Sequence, residues 1–234
     1  MLKANLHFHA GDDPEHRLGY TVQEGIDRAH ALGFQVLAVS CHRRVISTPA
    51  DEAYARERGI LLIHGAEIEV EKRHVVVLNA DRSVEAVGTF DALAAYRAAH
   101  PECFVLAPHP YFDFGLSLGE KLEHHVSCFD AVECSWFHSP SVDRNGRAER
   151  FARDRGLPYL ATSDTHFLRH LDRAYALIDA PEPTAESVFR AIREKRFTNV
   201  SPPLSFWRTM VFDILFHECL DRMRKVWNAV TGRT

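Results

Sequence analysis

Short apolar runs recur along the chain, separated by stretches of helical periodicity, and nearly every run ends on a histidine, a glutamate or an aspartate. The first, LKANL, leads into His7 and His9. AVS is followed by Cys41 and His42, LLIHGA by Glu67, and VLAP by His109. AVE ends on Glu133, and LATS leads into Asp164 and His166. The alternation predicts repeated βα units around a parallel sheet. In barrels and open parallel sheets the carboxyl ends of the strands form the functional face. Any fold that satisfies the pattern must therefore gather imidazoles and carboxylates on one rim.

The expected strands are 2–6, 36–39, 60–66, 74–78, 104–107, 131–134, 159–162 and 174–178. Helices are expected over 21–32, 49–58, 83–99, 116–126, 141–155 and 184–195. Thr21 stands at an N-cap with Glu24 three residues on, and Gly33 lies just past the end of that helix. A charged turn around Lys72 joins 67–70 to His74, as in a hairpin. Pro202 and Pro203 are the strong break, dividing residues 1–200 from an extension over 201–234. In that extension Phe212, Leu215, Phe216, Cys219, Met223, Val226, Trp227 and Val230 form an apolar stripe opposite charged residues. It reads as an amphipathic helix packed on its own barrel, ahead of a homo-oligomer contact and of a membrane surface.

Composition narrows the function. A net charge of −4 gives no general attraction for long nucleic acid or anionic membranes. No apolar run is long enough to span a bilayer, and no signal peptide is evident. The five cysteines include no CxxC pair, which points to a reducing cytoplasm. Fifteen histidines among 234 residues is the unusual count.

Residues two apart on an extended segment share a face, so both members of an HxH or DxH pair can converge on one ion. Imidazole and carboxylate are the usual ligands of divalent metals. A carboxylate such as Glu67 can bridge two of them, an arrangement suited to phosphate ester hydrolysis. A lone HxH is common by chance. The whole series, in barrel order, is not.

The order NLHFH, SCH, GAE, H-VVVL, APHP, SDTH resembles the PHP family, named for polymerase and histidinol phosphatase domains, over roughly residues 3–198. The resemblance implies a distorted (β/α)7 barrel holding two or three divalent metal ions: zinc, manganese or iron. Carried over by motif, His7, His9, Glu67 and Asp164 correspond to one ligand set, and Glu67, His74 and His109 to a second. His42 and His166 belong to a third, completed from the GDDPEH loop, with Asp13 preferred over Asp12 and His16. This chain departs from the pattern at Cys41 and Asn5, where the family commonly has aspartate.

Asp164 or His166 is expected to move the proton in catalysis. Arg43, Arg44 and Arg147 are expected near substrate phosphate, because the guanidinium fork matches phosphate oxygens. His138, in WFHSP, is a further substrate neighbour, and Glu133 is either a ligand-orienting or a structural group. The expected activity is metal-dependent hydrolysis of a small phosphomonoester or short nucleotide. Two rivals stand beside it: a metal-dependent amidohydrolase, which would commonly use a carboxylated lysine where Glu67 stands, and a non-catalytic module stabilised by metal.

Overall fold

The computed structural model describes residues 1–11, 13–112, 115–140 and 143–204. In chain order these form β1 (Leu2–Phe8), α1 (Val22–Ala31), β2 (Val36–Val39), α2 (Pro49–Glu57), β3 (Leu61–Val70) and β4 (Arg73–Leu78). There follow α3 (Phe90–Ala99), β5 (Phe104–Ala107), α4 (Glu120–His124), β6 (Ala131–Ser135), α5 (Asn145–Asp154) and β7 (Tyr159–Thr162). The last elements are β8 (Tyr175–Ile178), α6 (Ala185–Arg193) and β9 (Phe197–Val200). The chain divides into two compact units, Met1–Trp136 with Arg144–Ser201, and Phe137–Asp143 with Pro202–Thr234. The expected C-terminal helix lies outside the described residues. In the second unit Leu204 donates its backbone N–H to the carbonyl of His138 at 2.7 Å.

The sheet of the first unit is a mixed, nearly closed barrel with strand order β7-β6-β5-β4-β3-β2-β1-β8-β9. Strands β1, β2 and β3 run parallel, as do β5, β6 and β7, while β4 lies antiparallel between β3 and β5. The two ends of the order meet where Phe8 of β1 bridges Thr165 after β7, and where Asn199 of β9 accepts the Ala161 N–H and donates to the Tyr159 carbonyl of β7. No helix among the described residues is long and apolar enough to cross a membrane.

Capping explains the helix starts. Thr21 and Glu24 form the expected capping box of α1, and Thr48 with Asp51 forms another at α2, with Pro49 in its first turn. Gly25 lets α1 lie against β1, since a Cβ there would come within 2.3 Å of the Phe8 ring.

The sheet has nine strands, and the hairpin expected around Lys72 is one place where it leaves a βα repeat. β3 and β4 make a hairpin with no helix between them, through a two-residue turn in which Glu71 and Lys72 have φ of 48° and 63°. That left-handed pair matches the twist of antiparallel strands. The helix expected over 83–99 divides into a 3-10 turn, Arg82–Ala86, capped by Asp81, and α3, capped by Thr89. Over 116–126 only α4 is α-helical, because Gly119 enters it at φ 55° and a 3-10 turn, Val126–Cys128, ends the segment. β9 has no expected counterpart. Its central Thr198 and Asn199 are exposed, so FTNV carries no apolar alternation.

Inside the barrel the lower layer is apolar. Ala4, Leu6, Val36, Ile63, Val76 and Leu106 pack there against Val188, Phe189 and Ile192 of α6, whose Phe189 stacks on Phe104 at 4.8 Å. Two and four residues further along β3, and two residues before Val76 on the antiparallel β4, the same inward-facing series becomes Gly65, Glu67 and His74. In β1 the register with β2 shifts between Asn5 and Phe8. The shift turns Phe8 to the outer core with Ile26 and Leu37, while Leu6 stays inside. His7 and His9 face the barrel mouth.

Candidate metal centre

Glu67 is at the middle of the mouth, 1% exposed, and touches five imidazoles. Its Oε2 lies 3.4 Å from His7 Nε2, 3.4 Å from His9 Nε2 and 3.2 Å from His42 Nε2. Its Oε1 lies 2.9 Å from His74 Nδ1 and 3.1 Å from His109 Nε2. The neighbourhood follows from backbone geometry. His42 extends β2 past its end to bridge Glu67 in parallel, and β4 brings His74 back across from Glu69.

Asp164 follows β7 and places Oδ1 3.4 Å from His7 Nε2 and 3.2 Å from His9 Nε2. His166 stacks on His9 with ring centroids 4.2 Å apart. Asp164 and His109 both adopt positive φ, 40° and 28°, a conformation that non-glycine residues rarely take. Strain of this kind persists where surrounding structure holds it, and it gathers at functional sites.

Two carboxylates brace the ring from behind. Asp13 accepts from Nδ1 of His9 and of His42, each at 2.9 Å, and from the backbone N–H groups of Glu15, His16 and His42. With Nδ1 committed, each ring presents Nε2 to Glu67. Glu133, fully buried, accepts from the His109 backbone N–H and the Thr162 hydroxyl, both at 2.8 Å, and lies 3.5 Å from His7 Nδ1. His166 donates Nδ1–H to the Asp164 carbonyl at 3.1 Å, which leaves Nε2 as its acceptor.

The electrostatics follow from this crowding. Burial works against charge on Glu67 and Asp164, but the surrounding imidazoles outweigh it and hold both well below the usual carboxylate range. Burial also opposes a proton on His7, yet Asp164, Glu67 and Glu133 together raise it well above the ordinary value. His166 goes the other way, pushed down to about 3 by burial and then by His9.

The donor set fits divalent cations. Asp164 Oδ1 and His166 Nε2 are buried at the mouth with no hydrogen-bond partner. His7 Nε2 and His9 Nε2 face each other at 3.1 Å. Buried polar groups without partners are costly, and lone pairs aimed at one point are satisfied by a cation. Among the described residues five groups of ligand atoms lie close enough together to share an ion, led by His7, His9, Glu67 and Asp164; Glu67, His74 and His109; and His9, His42 and His166, with His9, Asp13 and Cys41 and then Glu15, His42 and His74 beside them. The first two coincide with sets expected from the motifs. In the third, His9 joins the expected His42 and His166. The His16 ring is next to it, 5.1 Å from His42 and 4.7 Å from His166. Asp12 lies outside the described residues. Glu15, which forms a group with His42 and His74, was passed over in the sequence although it stands in the same loop.

The arginines sit apart. Arg43, 59% exposed, pairs with Glu15 at 2.9 Å and Glu69 at 3.1 Å, and Arg44 is exposed. Arg147 pairs with Glu123 at 2.8 Å and lies over the Tyr111 ring. It borders a cavity of about 590 Å³, also lined by Arg73, Tyr111, Phe112, Ser117 and Lys121. The departures from the family pattern have local explanations. Cys41 Sγ accepts the Ala10 N–H at 3.2 Å. Asn5 donates to the Ser163 hydroxyl and the Leu171 carbonyl, two bonds an aspartate could not donate.

A family model described as PHP-associated matches residues 143–197, which include β7, the Asp164–His166 turn and α6. PsfC from Pseudomonas syringae PB-5123 aligns at 14% identity and TM-score 0.64, covering 94% of this chain and 98% of its own. A protein from Bifidobacterium adolescentis, described as a candidate metal-dependent phosphoesterase, aligns at 16% and 0.54. That alignment covers 70% of this chain and 87% of the other. The lesion-specific endonuclease PfuEndoQ from Pyrococcus furiosus aligns at 15% and 0.63 over 82% of this chain, which spans 56% of the endonuclease. These findings support a PHP domain family. No curated protein sequence matches the chain significantly. At such identities the structural likeness shows a shared fold alone, and the chemistry rests on the residues themselves.

Proposed function

We propose that this PHP-type protein is a metal-dependent phosphoesterase acting on a small phosphomonoester or short nucleotide. The observation that carries the reading is the convergence of five imidazoles and Asp164 around Glu67, with buried lone pairs left unpartnered. Divalent cations in such a site supply a water of lowered pKa and neutralise phosphoryl oxygens. His7, His9, Glu67 and Asp164 would hold one ion, and Glu67, His74 and His109 a second. His9, His42 and His166 would hold a third, while Asp13 orients His9 and His42 because its oxygens are already engaged.

The chain's own groups then account for positioning and proton movement. Asp13 and Glu133 fix ring orientation from outside the ligand set. Asp164 or His166, side by side at the mouth with His166 Nδ1 3.4 Å from Asp164 Oδ1, would take or return the proton. The free buried thiols Cys41, Cys103, Cys128 and Cys134 agree with a reducing, cytoplasmic setting.

The test is elemental analysis of the purified chain, followed by a screen of phosphomonoesters and short nucleotides with zinc, manganese or iron supplied. Bound metal with phosphate release that ends on chelation is expected. No phosphate release with any of the three metals, or turnover of amides instead, would overturn the reading.

A further inference from the structure

The cavity beside the centre has a chemical character the phosphoesterase reading does not use. It begins where the ligands end. Arg73 immediately precedes His74 on β4, Tyr111 and Phe112 follow His109, and Ser117 Oγ lies 3.5 Å from His109 Nδ1. The Leu116 carbonyl accepts the His74 N–H at 2.8 Å, so the loop forming one wall is tied to a ligand-bearing strand.

Three cationic side chains on the wall, Arg73, Lys121 and Arg147, are not equivalent. Lys121 is committed to Glu71, and Arg147 to Glu123. Arg73 has no carboxylate partner among the described residues: one Nη donates to the Gly115 carbonyl, and its buried Nε has no hydrogen-bond partner. A guanidinium pairs most strongly with an oxyanion through two parallel N–H donors. A half-buried arginine with an unused donor and no ion-pair partner among the described residues, on the wall of a cavity of ligand size that Glu120 and His124 also line, is suited to an anion.

We infer that this cavity is a second-anion subsite, in which Arg73 recognises a carboxylate or phosphate at the end of the substrate remote from the scissile ester. The inference rests on the proposed phosphoesterase reading for the scissile end, and its test needs no turnover. Arg73 is a specificity-determining residue, and the substrate class is a phosphoester bearing a further anionic group. Lys121 and Arg147 stay paired and shape the wall.

The test is calorimetric titration of the full, metal-loaded chain with non-hydrolysable phosphonates. Phenylphosphonate carries one anionic group, 4-phosphonobenzoate adds a carboxylate and 1,4-phenylenebisphosphonate adds a second phosphonate. At least one of the latter two should bind about tenfold or more tighter than phenylphosphonate. Whichever shows the larger gain identifies the preferred anion. Arg73→Met should bring the preference to within about threefold, with thermal melting verifying the fold. Arg73→Gln, which keeps a donor for the Gly115 carbonyl, takes its place if Arg73→Met does not fold. Equal affinities in the wild type, no binding of any probe, or a preference that survives the substitution would overturn the inference. A preference without phosphate release in the screen would remove the phosphoesterase reading and leave the subsite. Phosphate release without a preference would do the reverse.

Discussion

The barrel interior has two layers built on the same strands but subject to opposite demands. In the lower one Ile63, Val76, Leu106 and Leu160 meet Phe189 and Ile192, and every group finds an apolar neighbour. Two pleats higher on β3, and one higher on β4, Glu67 and His74 face the mouth together with His7 and Glu133, and several buried atoms lack partners. The lower layer is complete within the chain. The upper layer is complete only with something added, and that difference separates stability from function along single strands.

Substitutions should dissociate the two layers. Glu67→Ala removes the group shared by two of the three expected ligand sets, so kcat/KM should fall on the order of a thousandfold or more. Metal content, measured on the same preparation, should fall with it. Ile63→Ala, four residues earlier on the same inward face of β3, should cost about 2–5 kcal/mol of stability in a denaturant titration. Its kcat/KM per folded molecule should stay close to wild type, and a large loss would erase the distinction between layers. Asp13→Asn keeps the size of the brace but weakens its hold on two rings. Metal affinity by chelator competition should drop about 10–100-fold, as for other groups behind a ligand. Arg43→Ala, at an exposed ion-paired site, should change stability by under about 1 kcal/mol and kcat/KM by less than about threefold. A larger kinetic effect would bring the rim arginines back into contact with substrate.

The pattern of ligands was readable because strands impose it. His7 and His9 are carried to the mouth by β1, and Glu67 and His109 follow apolar runs that had to be strands, whereas Asp164 and His166 meet past the end of β7 through a turn in which Asp164 has φ 40°. The direction of β4 was readable only as a hairpin around Lys72, and no helical repeat could accommodate it. What was not readable depends on chain segments folding back. The Asp13 carboxylate could face an ion or a ring, and the choice is made by three backbone N–H groups of its own loop and of His42. Arg43 lies at the expected rim, but its positive φ of 58° and the two carboxylates within reach decide how it is engaged. Arg73 attracts no notice in the sequence, since its lack of an ion-pair partner among the described residues shows only in three dimensions.

The tight connection between β3 and β4 has a consequence for how this protein tolerates change. Inward and outward positions alternate along β4, with His74 directed to Glu67 and Arg73 to the neighbouring cavity wall. A slip of β4 by one residue against β3 would exchange those two directions while altering no ligand in the sequence. The register that the Glu71–Lys72 turn sets is therefore as much a part of the chemistry as any imidazole.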